Sequence, residues 1–209
     1  MGAQRRIVVF ERVSADGYFT TQDGDGRLDW AVQDPEVDQL GVAGIPSVDT
    51  ILFGRKTYEM FAAFWPRVAA AAPGVPADPH GRGQPSRPTE NRAFASVLDE
   101  SPKLVFSRTL ERPTWKNTRV LRELDPREIA AWKRQPGKDM IVFGSGSIVS
   151  ELTRHGLVDE YQLVVSPVLL GGGRPLVSGV AERARLALLE ARAFRSGNVL
   201  LRYARAGTA

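Results

Sequence analysis

The chain has 209 residues, of which 43% are hydrophobic and 25% are charged, and its formal net charge at pH 7 is +4. That size and balance indicate one globular domain with a single core, while the absence of cysteine and the presence of only two histidines argue against disulfides and against a zinc site. Since no apolar run approaches the roughly 18 residues that cross a bilayer, and the run at 7–10 is too short for a signal peptide, we expect a cytoplasmic protein that does not bind membranes.

Short apolar runs alternate with helical patterns along the chain. Strands are predicted at 6–13, 50–54, 103–107, 118–122, 139–144, 160–168, 186–194 and 199–204. Helices are predicted at 35–43, 56–64, 90–98, 126–134 and 147–155. Runs such as 51–53 and 140–143 are continuously apolar, which is typical of strands buried on both faces of a sheet.

This order predicts a single α/β domain spanning residues 1–209. We expect a mixed, mostly parallel central sheet with helices on both faces and an antiparallel hairpin formed by the last two strands. One segment departs from the pattern, because residues 66–88 hold six of the fourteen prolines. It is predicted to be a Pro/Gly-rich insertion with little regular structure, either a mobile flap or a disordered stretch.

Two segments in the first third of the chain follow predicted strands directly. Ligands of open α/β sheets bind beyond the carboxyl ends of the strands, so such segments are candidate sites. Residues 14–17, Ser-Ala-Asp-Gly, fit a plain turn equally well. Residues 54–57, Gly-Arg-Lys-Thr, open a helix, and the free amides at a helix N-terminus bind phosphate, although many helices begin this way.

Two further strand ends lie later in the chain. Ser107 and Arg108 combine a hydroxyl with a guanidinium, which suits a phosphate monoester. They lie in a locally basic stretch, 101–122, that fits a small anionic ligand better than the wide basic face of a nucleic-acid binder, or else reflects charged edge strands. Residues 144–147, Gly-Ser-Gly-Ser, form a strand-to-helix turn that can hold a pyrophosphate.

Taken together, these motifs resemble one known family. The chain reads Ser-Ala-Asp-Gly at 14–17, Gly-Arg-Lys-Thr-Tyr-Glu at 54–59, Val-Phe-Ser-Arg at 105–108 and Phe-Gly-Ser-Gly-Ser at 143–147, and a Val-Asp-Glu-Tyr segment that continues to Gly-Gly-Gly-Arg-Pro-Leu at 158–176. That order is similar to the dihydrofolate reductase-like superfamily, in the branch of the C-terminal reductase domain of bacterial riboflavin biosynthesis proteins. The resemblance runs from Ile7 to Tyr203 and is weakest over 66–95.

The resemblance implies a three-layer α/β/α sandwich that binds NADPH. It assigns the cofactor phosphates to Gly54, Arg55, Lys56 and Thr57, and the 2′-phosphate to Ser107 and Arg108. The pyrophosphate falls to Gly144, Ser145, Gly146, Ser147 and Ile148. It places Ser14, Asp16 and Gly17 at the border of the nicotinamide and the substrate.

Departures from the family affect the expected substrate. There is no zinc deaminase element, and the Asp-Pro pair that follows the Gly-x-x-Thr motif in riboflavin reductases is replaced by residues 58–61. The arginine that holds the folate glutamate is missing from the stretch 100–103, where Lys103 offers only a point charge. Neither a phosphoribosyl-aminouracil nor dihydrofolate is therefore an obvious substrate.

The proton donor is the least determined part of the predicted site. Asp38 lies 17 residues before Arg55, a separation close to that of the family's catalytic carboxylate, and we expect apolar neighbours such as Trp30 and Phe64 to surround it. Asp16 and Glu36 are the other candidates. Trp30, Phe64 and Glu36 are also the predicted contacts of the substrate, with the two aromatic rings as walls for a planar molecule. The alternatives are an acidic helix start that faces solvent and aromatic residues that simply pack in the core.

Two functions of different classes follow. The first is an NADPH-dependent reductase that transfers hydride to a small heterocycle of pterin or pyrimidine type, and the second is an NADP(H)- or nucleotide-binding protein without turnover. We also expect a homodimer, because the strands at 160–168 and 199–204 offer long edges that need covering.

Overall fold

A computed structural model describes residues 4–24, 28–44, 47–70 and 88–207, without the side chains of Val42 and of residues 88–91. Its strands are β1 (Ile7–Ser14), β2 (Tyr18–Thr20), β3 (Val48–Gly54), β4 (Lys103–Phe106), β5 (Thr118–Leu121), β6 (Asp139–Phe143), β7 (Glu160–Ser166), β8 (Arg174–Pro175), β9 (Leu186–Ala193) and β10 (Val199–Arg205). Its helices are α1 (Pro35–Gly44), α2 (Arg55–Ala70), α3 (Pro88–Glu100), α4 (Pro126–Lys133) and α5 (Gly146–Arg154).

Eight of these strands form one sheet in the order β5-β4-β3-β6-β1-β7-β10-β9. The strands from β5 to β7 run parallel, whereas β10 lies antiparallel to both β7 and β9. The predicted mixed sheet with a C-terminal antiparallel hairpin is therefore confirmed. The short strands β2 and β8 pair separately and were not predicted, because two or three residues carry no readable period.

Helices cover both faces of the large sheet. One core cluster joins β1, β6 and β7 to α4 and α5 through residues such as Ile129, Val149 and Leu152. On the opposite face, Tyr58 of α2 and Leu98 of α3 pack on β3, and Val37 of α1 packs on β7 and β10. These three layers confirm the predicted α/β/α sandwich. No helix among the described ranges has the length and apolarity needed to cross a membrane.

The helix that begins at Arg55 is longer than predicted. It passes through Pro66 and ends at Ala70, and the next helix begins at Pro88, so the expected irregular insertion at 66–88 is wrong at both ends. Packing outweighs the proline here, since Val68 and Ala95 form a small core between α2 and α3. The remainder of that segment, 71–87, lies outside the described residues.

The strands expected to form exposed edges are in fact interior. β7 is paired with β1 and β10, and β10 is paired with β7 and β9, so neither has a free side. Among the described strands of the large sheet, the edges are β5 and β9. β9 exposes three leucines, Leu186, Leu188 and Leu189, at 41%, 58% and 53%.

Candidate active site

A gap opens where β1 outruns its neighbour β6. The two strands pair only from Ile7 to Phe10, opposite Met140 to Phe143, after which the chain turns at Gly144 into α5. β1 continues for four more residues, 11–14, and pairs there with β7 alone. The carboxyl ends of β1, β3 and β6 lie at this edge of the sheet, which is the edge at which open α/β sheets bind ligands.

The turn between β6 and α5 is held in a rare backbone conformation. Gly144 and Ser145 both have positive φ, 57° and 62°, and Ser145 pays a steric cost there because it has a Cβ. Its hydroxyl accepts the Gly54 N–H at 2.8 Å and donates to the Thr57 hydroxyl at 2.8 Å. The structure thus brings the predicted segments 54–57 and 144–147 together through one serine.

The first turn of α5 has backbone donors for which the described residues provide no hydrogen-bond acceptor. The Ser145 side chain makes no cap hydrogen bond to α5, so the first-turn amides of Gly146 and Ser147 have no partner within the helix. Gly146 has no room for a side chain, because a Cβ there would lie 2.7 Å from the Phe19 ring. Ile148 can contribute only its backbone to the predicted pyrophosphate site, since its side chain belongs to the core.

The N-terminus of α2 adds positive charge beside this turn. Arg55 and Lys56 are exposed, and Arg55 forms a 3.3 Å ion pair with Glu59 one turn later. Thr57 is half-buried and points toward Gly144. Two helix N-termini with two cations at one edge of the sheet suit a phosphorylated ligand.

Ser107 and Arg108 have separate tasks. Ser107 is buried, and its hydroxyl accepts the amides of Thr109 and Leu110 at 3.2 and 2.9 Å, which shapes the loop after β4. Arg122, which directly follows β5, donates to three carbonyls of that loop and holds it in place. Arg108 is exposed at its surface, so it is the residue of this pair that extends toward solvent.

Lys103 is not a surface charge, and its expected role as a point charge for an acidic substrate is wrong. It is fully buried, and its ammonium group donates to the carbonyls of Asp99, Ser101 and Lys116 while lying 4.4 Å from the centre of the Trp115 ring. Burial lowers the pKa of Lys103 to about 8. This part of the basic stretch therefore stabilises the fold.

Asp16 ties two loops together. Its carboxylate accepts the Ser14 hydroxyl at 2.6 Å and the amides of Leu170 and Gly171 at 3.1 and 2.8 Å. The Ser14 hydrogen bond, joined by these amides, lowers the pKa of Asp16, which opposes a role as a proton donor. Gly17 is required for the turn itself, because its φ is +87°.

The expected apolar surroundings of Asp38 are wrong. Its side chain is 43% exposed, and its carboxylate pairs with the Arg12 guanidinium at 2.7 Å. Glu36 lies two residues earlier on α1 and forms an ion pair with Arg192 of β9 at 3.2 Å. Both acids of α1 therefore form ion pairs with strand arginines.

The two aromatic candidates lie in different surroundings. Phe64 packs against Trp65 and the small core formed by Val68 and Ala95, so it stabilises the contact between α2 and α3 instead of lining the gap. Trp30 is half-buried just before α1, and its indole N–H is buried without a hydrogen-bond partner among the described residues. Only Trp30 offers a polar group to a ligand.

Sequence reasoning missed Glu11 and Arg12, which lie on β1 beside the gap. Glu11 is 7% exposed; its Oε1 accepts the Arg12 amide at 3.0 Å, while Oε2 has no hydrogen-bond partner among the described residues. Desolvation raises the pKa of Glu11 to about 8. The available signal was a charged pair placed directly after the apolar run at 7–10 of a central strand.

The order and layers of these elements are those of the dihydrofolate reductase-like fold. Residues 5–200 match the RibD C-terminal domain, and the chain belongs to that family. Bacillus subtilis YyaP, an uncharacterised protein, is 29% identical over 204 residues that cover 96% of this chain and 95% of YyaP. B. subtilis YwjB, also uncharacterised, is 24% identical and covers 97% and 99% of the two chains.

Solved structures share this fold at lower identity. A Shewanella sp. PV-4 protein assigned to riboflavin biosynthesis superposes with a TM-score of 0.69 at 21% identity, over 96% of this chain and 98% of that one. Dihydrofolate reductase from Enterococcus faecalis, complexed with NADP(H), gives 0.59 at 12% identity, over 97% and 98%. Acinetobacter baumannii RibD gives 0.57 at 15% identity, over 98% of this chain and 58% of RibD.

Proposed function

We propose that this protein is an NADPH-dependent reductase acting on a small heterocycle of pterin or pyrimidine type. The observation that carries the proposal is the gap beyond the paired part of β1 and β6, which is bordered by the N-termini of α2 and α5. The family and the fold are those of reductases, which supports the same conclusion.

The residues at the gap fit a dinucleotide. Arg55 and Lys56 offer charge to its phosphates, and the α5 amides of Gly146 and Ser147 offer hydrogen-bond donors. Arg108 offers a guanidinium to a 2′-phosphate. When bound, the cofactor supplies hydride, and the chain's own part is to orient the two reactants and to exclude water.

The second candidate is an NADP(H)- or nucleotide-binding protein without turnover. One observation favours it, namely that all three acids named from the sequence as proton donors, Asp38, Glu36 and Asp16, are held in ion pairs or hydrogen bonds. A screen of pterins, pyrimidines and imines with NADPH, followed by absorbance, separates the two candidates. Cofactor consumption with any of them supports a reductase, whereas binding without consumption supports the alternative.

Cofactor preference gives a sharper test. Arg108→Ala is expected to weaken NADPH binding by about 1.5–3 kcal/mol, the range for hydrogen bonds to charged groups, and to leave NADH binding unchanged. Arg112→Ala is the matched control, because Arg112 is an exposed arginine of the same basic stretch. Fluorescence titration of both cofactors measures the effect. Equal losses for NADPH and NADH, or a loss as large in Arg112→Ala, contradict the assignment.

A further inference from the structure

Glu11 is a buried acid in the part of β1 that pairs with β7 alone, and its Oε2 lies close to the turn at Gly144. It projects from the same face of β1 as Val9 and Val13, which belong to the core shared with α5. Its Oε2 lies 3.2 Å from the position that a Cβ on Gly144 would occupy, and the Thr57 hydroxyl lies 3.2 Å from that same position. Glu11 therefore sits directly beneath the turn that the proposed cofactor site uses.

The surroundings of Glu11 hold few charges. On β1 the Arg12 amide bonds to Oε1, and the Arg12 guanidinium is itself paired with Asp38 of α1. Opposite Glu11 on β7 stands the apolar Leu163, and the neutral groups of Gly144 and Thr57 approach from the β6 and α2 sides. Burial disfavours the charged form of Glu11 and raises its pKa to about 8, although the Arg12 amide, the Arg12 charge and the Gly144 amide each act in the opposite direction.

We propose that Glu11 is the proton donor of the reductase, acting through Oε2 on the substrate in the β1–β6 gap. This role rests on the function proposed above and adds to it an acid that Asp16, Glu36 and Asp38 do not supply. An unpaired polar atom buried at the edge of a site is costly to a fold, so its presence at this place indicates a partner that arrives with the ligands.

The chemistry balances with a single proton. Reduction of a C=N bond adds hydride at carbon, from a reduced nicotinamide, and a proton at nitrogen. In this step the O–H bond of Glu11 breaks as the new N–H bond forms, and a carboxylate remains. The Arg12 amide at Oε1 stabilises that carboxylate until a proton from water restores the acid.

The protonation of Glu11 is measurable without cofactor or substrate. Infrared spectroscopy of the intact protein is expected to show the carbonyl band of a protonated carboxylic acid at pH 7, titrating near pH 8. Glu11→Gln removes this band, whereas Glu123→Gln, a change at an exposed glutamate, keeps it. Absence of the band at neutral pH, or its persistence in Glu11→Gln, overturns the proposal.

Turnover supplies the second readout. With Glu11→Gln, NADPH affinity is expected to stay within about twofold while turnover falls about 10²–10⁴-fold and the alkaline limb of its pH profile disappears. Glu11→Asp keeps a titrating group and is expected to recover part of the rate together with that limb, which also serves if the Gln variant does not fold. Wild-type turnover in Glu11→Gln overturns the role of Glu11 alone, whereas an unaltered protein that consumes no NADPH with any substrate overturns the proposed function as well.

Discussion

At the scale of single residues, the buried ammonium group of Lys103 stabilises the fold through its hydrogen bonds. Its ammonium group reaches three carbonyl oxygens at 3.0, 2.7 and 3.2 Å and lies over Trp115, whose indole N–H in turn donates to Asp99 at 2.7 Å. These contacts tie the end of α3 to the start of β4 and to the loop before β5. A buried cation is tolerated here because its three donors are all satisfied.

Lys103→Met keeps the length of the stem but leaves those carbonyls without their donor. We expect the free energy of unfolding at pH 7 to fall by about 3 kcal/mol, the scale of buried polar groups left unpaired. The pKa of Lys103 is about 8 in the folded protein, below the ordinary lysine value of 10.5. The unfolded state therefore binds more protons between these pH values, so this lysine makes stability rise with pH there. Urea unfolding at pH 7 and above pH 8 measures both effects.

The matched control is Lys116→Met, because Lys116 is half-exposed and forms surface ion pairs with Asp99 and Glu100. Its loss is expected to stay within about 1 kcal/mol. Equal destabilisation by the two changes, or an unaltered pH dependence in Lys103→Met, contradicts the structural role given to Lys103.

At the scale of elements, the turn from β6 into α5 joins the fold to the proposed function. Gly144 has a φ of +57°, and a Cβ there would lie 3.2 Å from Glu11 Oε2 and 3.2 Å from the Thr57 hydroxyl. Gly144→Ala is therefore unfavourable both for the backbone conformation and for packing. We expect it to lower the free energy of unfolding by about 2 kcal/mol and to weaken NADPH binding.

Gly171→Ala is the control for that change, since its φ is +67° but a Cβ there meets nothing within 4 Å. Only the backbone conformation is unfavourable in this variant, so we expect its free energy of unfolding to fall by about 1 kcal/mol. Urea unfolding and fluorescence titration of NADPH measure the two variants side by side. If both variants lose the same stability and bind NADPH equally well, close packing around Gly144 is not the reason that this turn needs glycine.

The secondary-structure elements are more predictable from the sequence than the residues of the candidate site. The helix at Pro126 was predictable because Asp125 accepts the Arg127 amide as a local cap. The strands that end at Gly54 and Phe143 were predictable from continuous apolar runs. Pro66 inside α2 and the burial of Lys103 were not, because both depend on tertiary packing. The same holds for Glu11, whose relation to Gly144 exists only once β1 and β6 are paired.

At the scale of the whole molecule, the sheet leaves an apolar edge at β9. Among the described strands it pairs with β10 alone, and almost all of its residues are exposed, including Leu186, Leu188 and Leu189. Solvent-exposed edge strands are usually short, charged or covered, because an unpaired backbone invites association. The interior strands β7 and β10 have no free edge through which two chains could pair. We therefore expect the predicted homodimer to form through β9 instead.

We expect β9 to pair with a second copy of the chain about a twofold axis, which is the commonest symmetry of soluble homo-oligomers. Light scattering at micromolar concentration is then expected to give about twice the chain's 22.9 kDa. Leu188→Asp places a charge on a side chain that is 58% exposed, so it costs the fold little but makes burial between two copies unfavourable, and its mass is expected to approach that of one chain. Leu169→Asp changes an equally apolar residue, 76% exposed, on the loop after β7 and is expected to leave the dimer intact. A wild-type protein with the mass of one chain, or a Leu188→Asp variant that stays dimeric, contradicts association through β9.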